Sequence, residues 1–272
     1  VISKYVPNTE AAAEVTAASV DNCKLIAAKK SDLAIVMGDV AYDAWMGIDK
    51  FKEKLPIRNL AVLYSNLAHV VTVEGKGIKK VADMKGKTIS TGAPGSGVEI
   101  MALRILEACG IDHNKDIKKD RLGASESAGA LKDGKIDAFF WVGGVPTASV
   151  LDLSATPNMK IVLIPNADSI EKMTAKYGPV YFPATIPKGV YKGVDYDVPV
   201  AAVANQLIAH GEMDDKLVYD ILTALFGHRD ELIAVHKQAQ DIELKAAVVG
   251  SPIPFHKAAQ KFFKEKGLDV AT

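Results

Sequence analysis

The residues Ser90-Thr91-Gly92-Ala93-Pro94-Gly95-Ser96-Gly97-Val98-Glu99 are the ones whose types and spacing suit binding chemistry. They join an extended run, Gly86-Lys87-Thr88-Ile89, to a helical one, Val98 to Cys109. Glycines and a proline at such a junction turn the backbone sharply and leave amide N–H groups uncovered. A helix N-terminus carries unsatisfied donors and the positive end of the peptide dipole, so it attracts carboxylate or phosphate. Apolar residues at Val98, Met101, Ile105, Leu106 and Cys109 follow a one-faced helical period. Ser96 and Glu99 have capping-box spacing, and Gly110 stands where a helix-terminating glycine belongs. The same run also serves the simpler purpose of making a strand-to-helix turn.

Several catalytic and nucleotide-binding readings fail on residue type. Gly92 and Gly97 have Walker spacing, but Val98-Glu99 replaces the lysine and hydroxyl that would meet phosphate and magnesium. Gly95 and Gly97 begin a dinucleotide fingerprint that Ile100 ends. A nucleophile elbow at Ser96 would need glycine where Pro94 and Val98 stand. The histidines at 69, 113, 210, 228, 236 and 256 show no metal-ligand spacing, although 228 and 236 would share a helical face. Asp32 and Asp137 each precede a strand, which suits turn or capping roles. No catalytic residue, metal site or cofactor is expected.

The elements that position the glycine run are those of an α/β protein. Helix Val20 to Lys30 leads to strand Leu33 to Met37, and a further helix starts near Val40. Leu60 to Tyr64 and Val70 to Val73 read as two extended segments. Helix Glu126 to Lys132 leads to strand Ala138 to Val142, followed by a strand at Lys160 to Ile164. Val198 to His210 starts extended and reads as becoming helical, and Leu217 to Phe226, Arg229 to Gln238 and Pro254 to Lys266 read as helices. Residues 25–40 can be laid over 130–145: helix, basic residue, aspartate, buried strand, then Gly-x-Val. This places Gly38, Asp39 and Val40 opposite Gly143, Gly144 and Val145, with Pro146 suited to the first turn of a helix.

Composition sets broad limits. The chain has 272 residues, 49% hydrophobic and 24% charged, which is ordinary for a globular protein with a substantial core. Lys+Arg and Asp+Glu both total 33, so no basic face points to nucleic acid. No apolar run reaches the roughly 18 residues of a membrane span. Cys23 and Cys109 fall on apolar helix faces, as core residues do.

The run Val81-Ala82-Asp83-Met84-Lys85-Gly86-Lys87-Thr88-Ile89, continued through the glycine turn and Ile105-Leu106-Glu107-Ala108-Cys109-Gly110-Ile111, resembles the solute receptors of TRAP transporters, TAXI family. Ser31-Asp32-Leu33-Ala34-Ile35-Val36, Asp137-Ala138-Phe139-Phe140-Trp141-Val142-Gly143-Gly144-Val145-Pro146 and Ile186-Pro187-Lys188-Gly189-Val190-Tyr191 extend the likeness, in order, through nearly the whole chain. The resemblance implies a type II periplasmic-binding-protein fold: two α/β lobes of mixed sheets flanked by helices, joined by hinge strands. Lobe one would take residues 1–70 and 191–272, and lobe two residues 71–190. The implied function is capture of a small carboxylate, a glutamate-like amino acid or dicarboxylate, for a TRAP-type membrane permease. The implied setting is extracytoplasmic, as a monomer whose export signal has been removed.

In that reading a ligand carboxylate sits on the N–H groups of Ser96, Gly97 and Val98, near Gly92 and Ala93, with hydroxyls of Thr91 and Ser96 assisting. Gly38, Asp39, Val40 and Tyr64 are the candidates from lobe one. Two roles stay open for Asp39, pairing with a ligand ammonium or capping a helix. Two also stay open for Tyr64 and Trp141, pocket wall or core. The sequence departs from the family at two places. Val1-Ile2-Ser3-Lys4-Tyr5-Val6-Pro7 reads as the tail of a helix that a strand and a Gly-rich turn should precede, and Leu63-Tyr64-Ser65-Asn66 lacks the expected Pro-Glu. A ligand-sensing module and a small-molecule transferase on the same fold are the alternatives.

Overall fold

Alternating apolar runs and amphipathic segments along the chain give an α/β structure, and the computed structural model describes residues 1–270. In chain order the elements are α1 (Ile2–Tyr5), α2 (Ser19–Ala27), β1 (Leu33–Met37), α3 (Gly38–Met46), β2 (Ile57–Val73), β3 (Thr88–Ser90), α4 (Gly97–Ala108), β4 (Lys118–Asp120) and α5 (Ala124–Lys132). They continue with β5 (Ala138–Gly143), α6 (Ala148–Ala155), β6 (Ile161–Leu163), α7 (Ile170–Tyr177), β7 (Tyr181–Ile186), β8 (Val198–His210), α8 (Asp215–Gly227), α9 (Arg229–Val235) and α10 (Lys257–Glu265). The strands form a mixed sheet of eight. The chain divides into two compact units, Val1–Tyr64 with the residues from Ala204 onward, and Ser65–Val203. Long strands β2 and β8 each run through both.

In the first unit β1 pairs antiparallel with the last part of β8, from Leu33 opposite Ala209 to Met37 opposite Asn205. Its core gathers Leu60, Leu63, Leu207, Leu222, Phe255 and Phe262, with Phe262 and Phe263 in edge-on contact at 5.2 Å. Helix α10 supplies Phe262 and Phe263 because its apolar positions fall on one face, the amphipathic condition for docking.

In the second unit β2 pairs antiparallel with β5, and β7 with the first part of β8. Strand β3 lies parallel to both β4 and β5, with Ser90 opposite Asp120 and Phe139. The strands of this parallel trio present their C-terminal ends along one edge. Open α/β sheets bind ligands outside such ends.

The structure corrects several sequence expectations. Val198 to His210 is strand throughout, with no helical part. All but Pro199 and His210 of its residues are buried, so the run lacks the polar alternation that marks a half-exposed strand. The two extended segments at Leu60 to Tyr64 and Val70 to Val73 are one strand, β2, since Ser65 and Asn66 continue it without a turn. The helix expected to start near Val40 begins at Gly38, and the one expected to run to Gln238 ends at Val235. His228 and His236 flank α9 rather than sharing a helical face. Pro146 lies outside α6, before its N-cap Thr147, and follows a cis peptide bond. Cys23 is fully buried, whereas Cys109 caps the C-terminus of α4 and is partly exposed.

Candidate functional site

Helix α4 is specified at both ends. Ser96 is its N-cap, and the Ser96 hydroxyl accepts the Glu99 N–H at 3.1 Å. At the other end Gly110 takes φ +79°, Gly110 N–H donates to Glu107 O, and Ile111 N–H donates to Leu106 O, both at 2.9 Å. That pair of bonds is a Schellman stop. Buried Val98, Met101, Ile105 and Leu106 fix the helix against the unit's interior. Gly92 makes the turn possible: it has φ +99°, and a Cβ there would stand 2.7 Å from Val98 Cγ1 and 3.0 Å from Glu99 N.

The donors at this turn are only partly free. Ser96 N–H donates to Ala93 O at 3.1 Å, and the Ser96 hydroxyl donates to the same oxygen at 2.7 Å. Ser96 therefore supports the turn, and its N–H is not the open donor the sequence suggested. Thr91 is fully buried, with its N–H on Asp120 O at 2.9 Å and its hydroxyl 3.3 Å from that carbonyl. Among the described residues, the Gly97 and Val98 N–H groups have no hydrogen-bond partner. They are the two first amides of α4, where the dipole is strongest.

Glu99 does not complete the capping box. Its Oε2 accepts Gly95 N–H at 3.2 Å and Arg121 Nη2 at 2.9 Å, while Oε1 accepts Arg121 Nε at 2.5 Å. The Glu99 side chain is 6% exposed and the Arg121 side chain 46%. Arg121 thus stands at the glycine turn, held by Nε and Nη2 on Glu99. Sequence reasoning missed it. The available signal was topological: Arg121 directly follows β4, whose parallel partner β3 leads directly into Thr91.

Gly143 ends β5, and Gly144 and Val145 follow it, at the same strand-end edge of this unit. Gly143 is required by Trp141, because a Cβ at 143 would lie 2.7 Å from the indole Nε1. Trp141 packs on the core around Phe139 and Val150, and its Nε1–H donates to Thr147 Oγ1 at 3.0 Å. Thr147 Oγ1–H donates to Gly144 O at 2.8 Å, and Thr147 N–H donates to Tyr191 Oη at 2.9 Å. Tyr191 in turn lies 2.9 Å from His69 Nε2, and His69 Nδ1 lies 2.9 Å from Leu67 O. A carbonyl only accepts, so Nδ1 carries the proton. Burial pushes the His69 pKa down to about 4, against the smaller upward pull of the Leu67 carbonyl, so the ring is neutral. Nε2 is then an acceptor for the Tyr191 hydroxyl.

The first-unit candidates are placed differently. Asp39 is fully buried in the first turn of α3, with Oδ1 accepting Val40 N–H at 2.9 Å. Gly38 and Val40 are buried beside it, and α3 has Met37 rather than Asp39 at its N-cap. Tyr64 packs on the first unit's core; burial raises its pKa, against a hydrogen bond with Asn205. Asp137 holds Thr88 N–H and Lys76 Nζ, both at 2.9 Å, a structural role that ties distant segments together rather than the turn or cap its position suggested. The described residues contain no cluster of histidine, cysteine and carboxylates able to hold a metal ion, and no helix long and apolar enough to cross a membrane.

The mixed α/β fold is shared with solved structures of two-lobed periplasmic binding proteins. A binding-protein component of an ABC phosphonate transporter from Pseudomonas aeruginosa superposes with a TM-score of 0.52 at 14% identity, over 83% of this chain and 67% of that one. The periplasmic aliphatic sulphonate binding protein of Escherichia coli matches at 13% identity and a TM-score of 0.44, over 81% of this chain. This chain spans 65% of the length of that protein. The chain belongs to the NMT1-like family, whose model matches residues 2–267.

Proposed function

We propose that this protein is an extracytoplasmic solute-binding receptor that captures a small carboxylate and delivers it to a membrane transporter, without chemistry of its own. The observation that carries the reading is the pair of uncommitted amides, Gly97 and Val98, at the N-terminus of α4 behind the Gly92–Gly95 turn. A carboxylate offers one oxygen to each. Hydrogen bonds to a charged group contribute about 1.5–3 kcal/mol each, so two of them supply about 3–6 kcal/mol of the roughly 8 kcal/mol that micromolar capture requires, and Arg121 beside the turn and the second set of contacts supply the remainder. Gly143, Gly144 and Val145, at the same strand-end edge, form the second set of contacts in this unit. Gly92, Ala93, Thr91 and Ser96 shape the turn, while Gly38, Asp39, Val40 and Tyr64 are the first unit's candidates. The resemblance of the glycine run to TAXI-family receptors favours a TRAP-type permease as partner and a glutamate-like amino acid or dicarboxylate as solute.

Native mass spectrometry of protein purified without denaturation tests for a retained ligand. Calorimetry then compares acidic amino acids and C4 to C5 dicarboxylates with an alkanesulfonate and an alkylphosphonate, the ligand classes named for the two structural neighbours. Stoichiometric heat from a carboxylate is expected. Silence across the whole panel would overturn the receptor reading, and a clear preference for the sulfonate or phosphonate would overturn the carboxylate assignment. Ser96→Asp keeps an N-cap residue but sets a negative charge against the bound anion. It should abolish binding with the fold intact, and retained affinity would move the site elsewhere.

A further inference from the structure

We propose that Tyr191, oriented by His69, is the positioning residue of the Gly143–Thr147 turn, and through that turn of the ligand contacts at Gly143, Gly144 and Val145. The ligand half of this statement rests on the receptor reading above. The turn half stands on hydrogen-bond geometry alone.

Gly143 is held in the sheet opposite Leu67, but beyond it Gly144 lacks a side chain and Pro146 has no N–H to contribute. Two chains of hydrogen bonds order this stretch, both meeting at Thr147. One runs Trp141 Nε1–H to Thr147 Oγ1, then Thr147 Oγ1–H to Gly144 O. The other runs Thr147 N–H to Tyr191 Oη, then Tyr191 Oη–H to His69 Nε2, and ends with His69 Nδ1–H on Leu67 O. Tyr191 and His69 each both donate and accept, so every direction is determined once Leu67 O is the terminal acceptor. Tyr191 is 1% exposed and His69 fully buried, and their rings meet edge-on at 5.7 Å. The hydroxyl therefore has one orientation available, and Thr147 N–H is held by an acceptor 44 residues distant in sequence.

Tyr191→Phe removes that acceptor while keeping the ring. Amide exchange by NMR in the full chain reads the consequence, with Phe139 and Val71 in the β5 and β2 ladder as internal controls. Thr147 N–H should exchange at least tenfold faster relative to those controls, and the Trp141 indole N–H resonance should shift. A merely stabilising role would speed all these amides together, and that result overturns the proposal, as does an unchanged Thr147. Thr147→Ala, which loses both hydroxyl bonds, should also loosen the turn, and Thr147→Ser, which keeps them, should restore it. Failure of serine to restore it overturns the role given to the hydroxyl.

Calorimetry with L-glutamate, under conditions where all variants are folded, forms the second arm. Tyr191→Phe and Thr147→Ala should weaken binding about tenfold, the scale of one buried hydrogen bond, with Thr147→Ser near wild type. A loosened turn with unchanged affinity overturns the ligand half. No heat with wild-type protein removes L-glutamate as ligand and overturns the ligand half for that solute, and the exchange arm then decides the turn half by itself.

Discussion

His69 makes a stability term that acid removes. The side chain is fully buried, and burial lowers its pKa from 6.5 to about 4. In the unfolded chain it protonates near 6.5. Between these values the unfolded state binds a proton that the folded state refuses, so stability rises with pH across the window. The contribution is complete above about pH 7 and declines toward pH 4 by up to about 1.4 kcal/mol per unit. It changes no further below that. At pH 5 the loss works out to about 2 kcal/mol. Urea denaturation of wild type and His69→Gln at pH 7.5 and pH 5.0 measures it. Glutamine retains a donor and an acceptor but does not titrate. Burial also lowers the pKa values of His113 and His256, but these are common to both proteins and cancel in the comparison. Wild type should lose about 2 kcal/mol more than the variant on acidification. Equal losses, or a His69 resonance titrating near 6.5, would refute the claim that the ring is held neutral by burial.

Gly92→Ala should destabilise by about 1–3 kcal/mol in urea melts, because alanine must adopt φ > 0 there and its Cβ meets Val98 and Glu99. Asp137→Ala strands the Thr88 N–H and should cost about 1–3 kcal/mol. The Asp137 carboxyl also gives a pH signature. Burial raises its pKa, but Thr88 N–H and Lys76 together outweigh that and leave it below 3.8. Its stabilisation is therefore present above pH 3.8 and lost as pH falls through the folded value, and the Ala variant should lack that decline. Thiol titration with an aromatic disulfide at pH 7.5 should find both cysteines slow in native protein. Cys23 is fully buried, and burial pushes the Cys109 thiol up to about 11. Denaturant should release both.

Local agreement among signals decided what could be read from sequence. For α4 the cap serine, the apolar period and the terminating glycine all pointed the same way, and the structure places the helix within one residue at each end. Strand β8 had no such agreement. Alanines and a Gln-Leu-Ile run favour helix by propensity, and a strand buried along both faces gives no alternation to oppose them. Tertiary pairing with β1 and β7 overrides the propensity. Strand β2 was divided because Ser65-Asn66 interrupts the apolar pattern, yet Asn66 is buried and the ladder to β5 resumes at Leu67. Tyr191 and His69 were beyond sequence reasoning for a simpler reason. Their partnership spans 122 residues, and no local spacing records it.

The glycine turn looked from sequence like an open row of donors, and the structure makes it more selective. A helix N-terminus must satisfy its first amides somehow, and here the chain itself satisfies part of the set. The Glu99 carboxylate takes Gly95 N–H, and Ala93 O takes Ser96 N–H. An ionised side chain so close to the turn would repel an incoming anion if it stood alone. Arg121 removes that obstacle, since its two-pronged contact pairs the Glu99 charge while nearly half of the Arg121 side chain stays exposed. On the proposed reading, an anionic ligand meets two amides and a partly exposed cation there, with the Glu99 charge paired. Arg121→Gln should accordingly harm anion capture twice over, by deleting the exposed cation and by leaving the Glu99 charge unpaired. Glu99→Gln removes the negative charge and frees the guanidinium, so it should strengthen anion binding. Opposite signs for these two variants in calorimetry would support electrostatic control of the turn. Equal losses would instead mean that the pair merely holds the loop in shape.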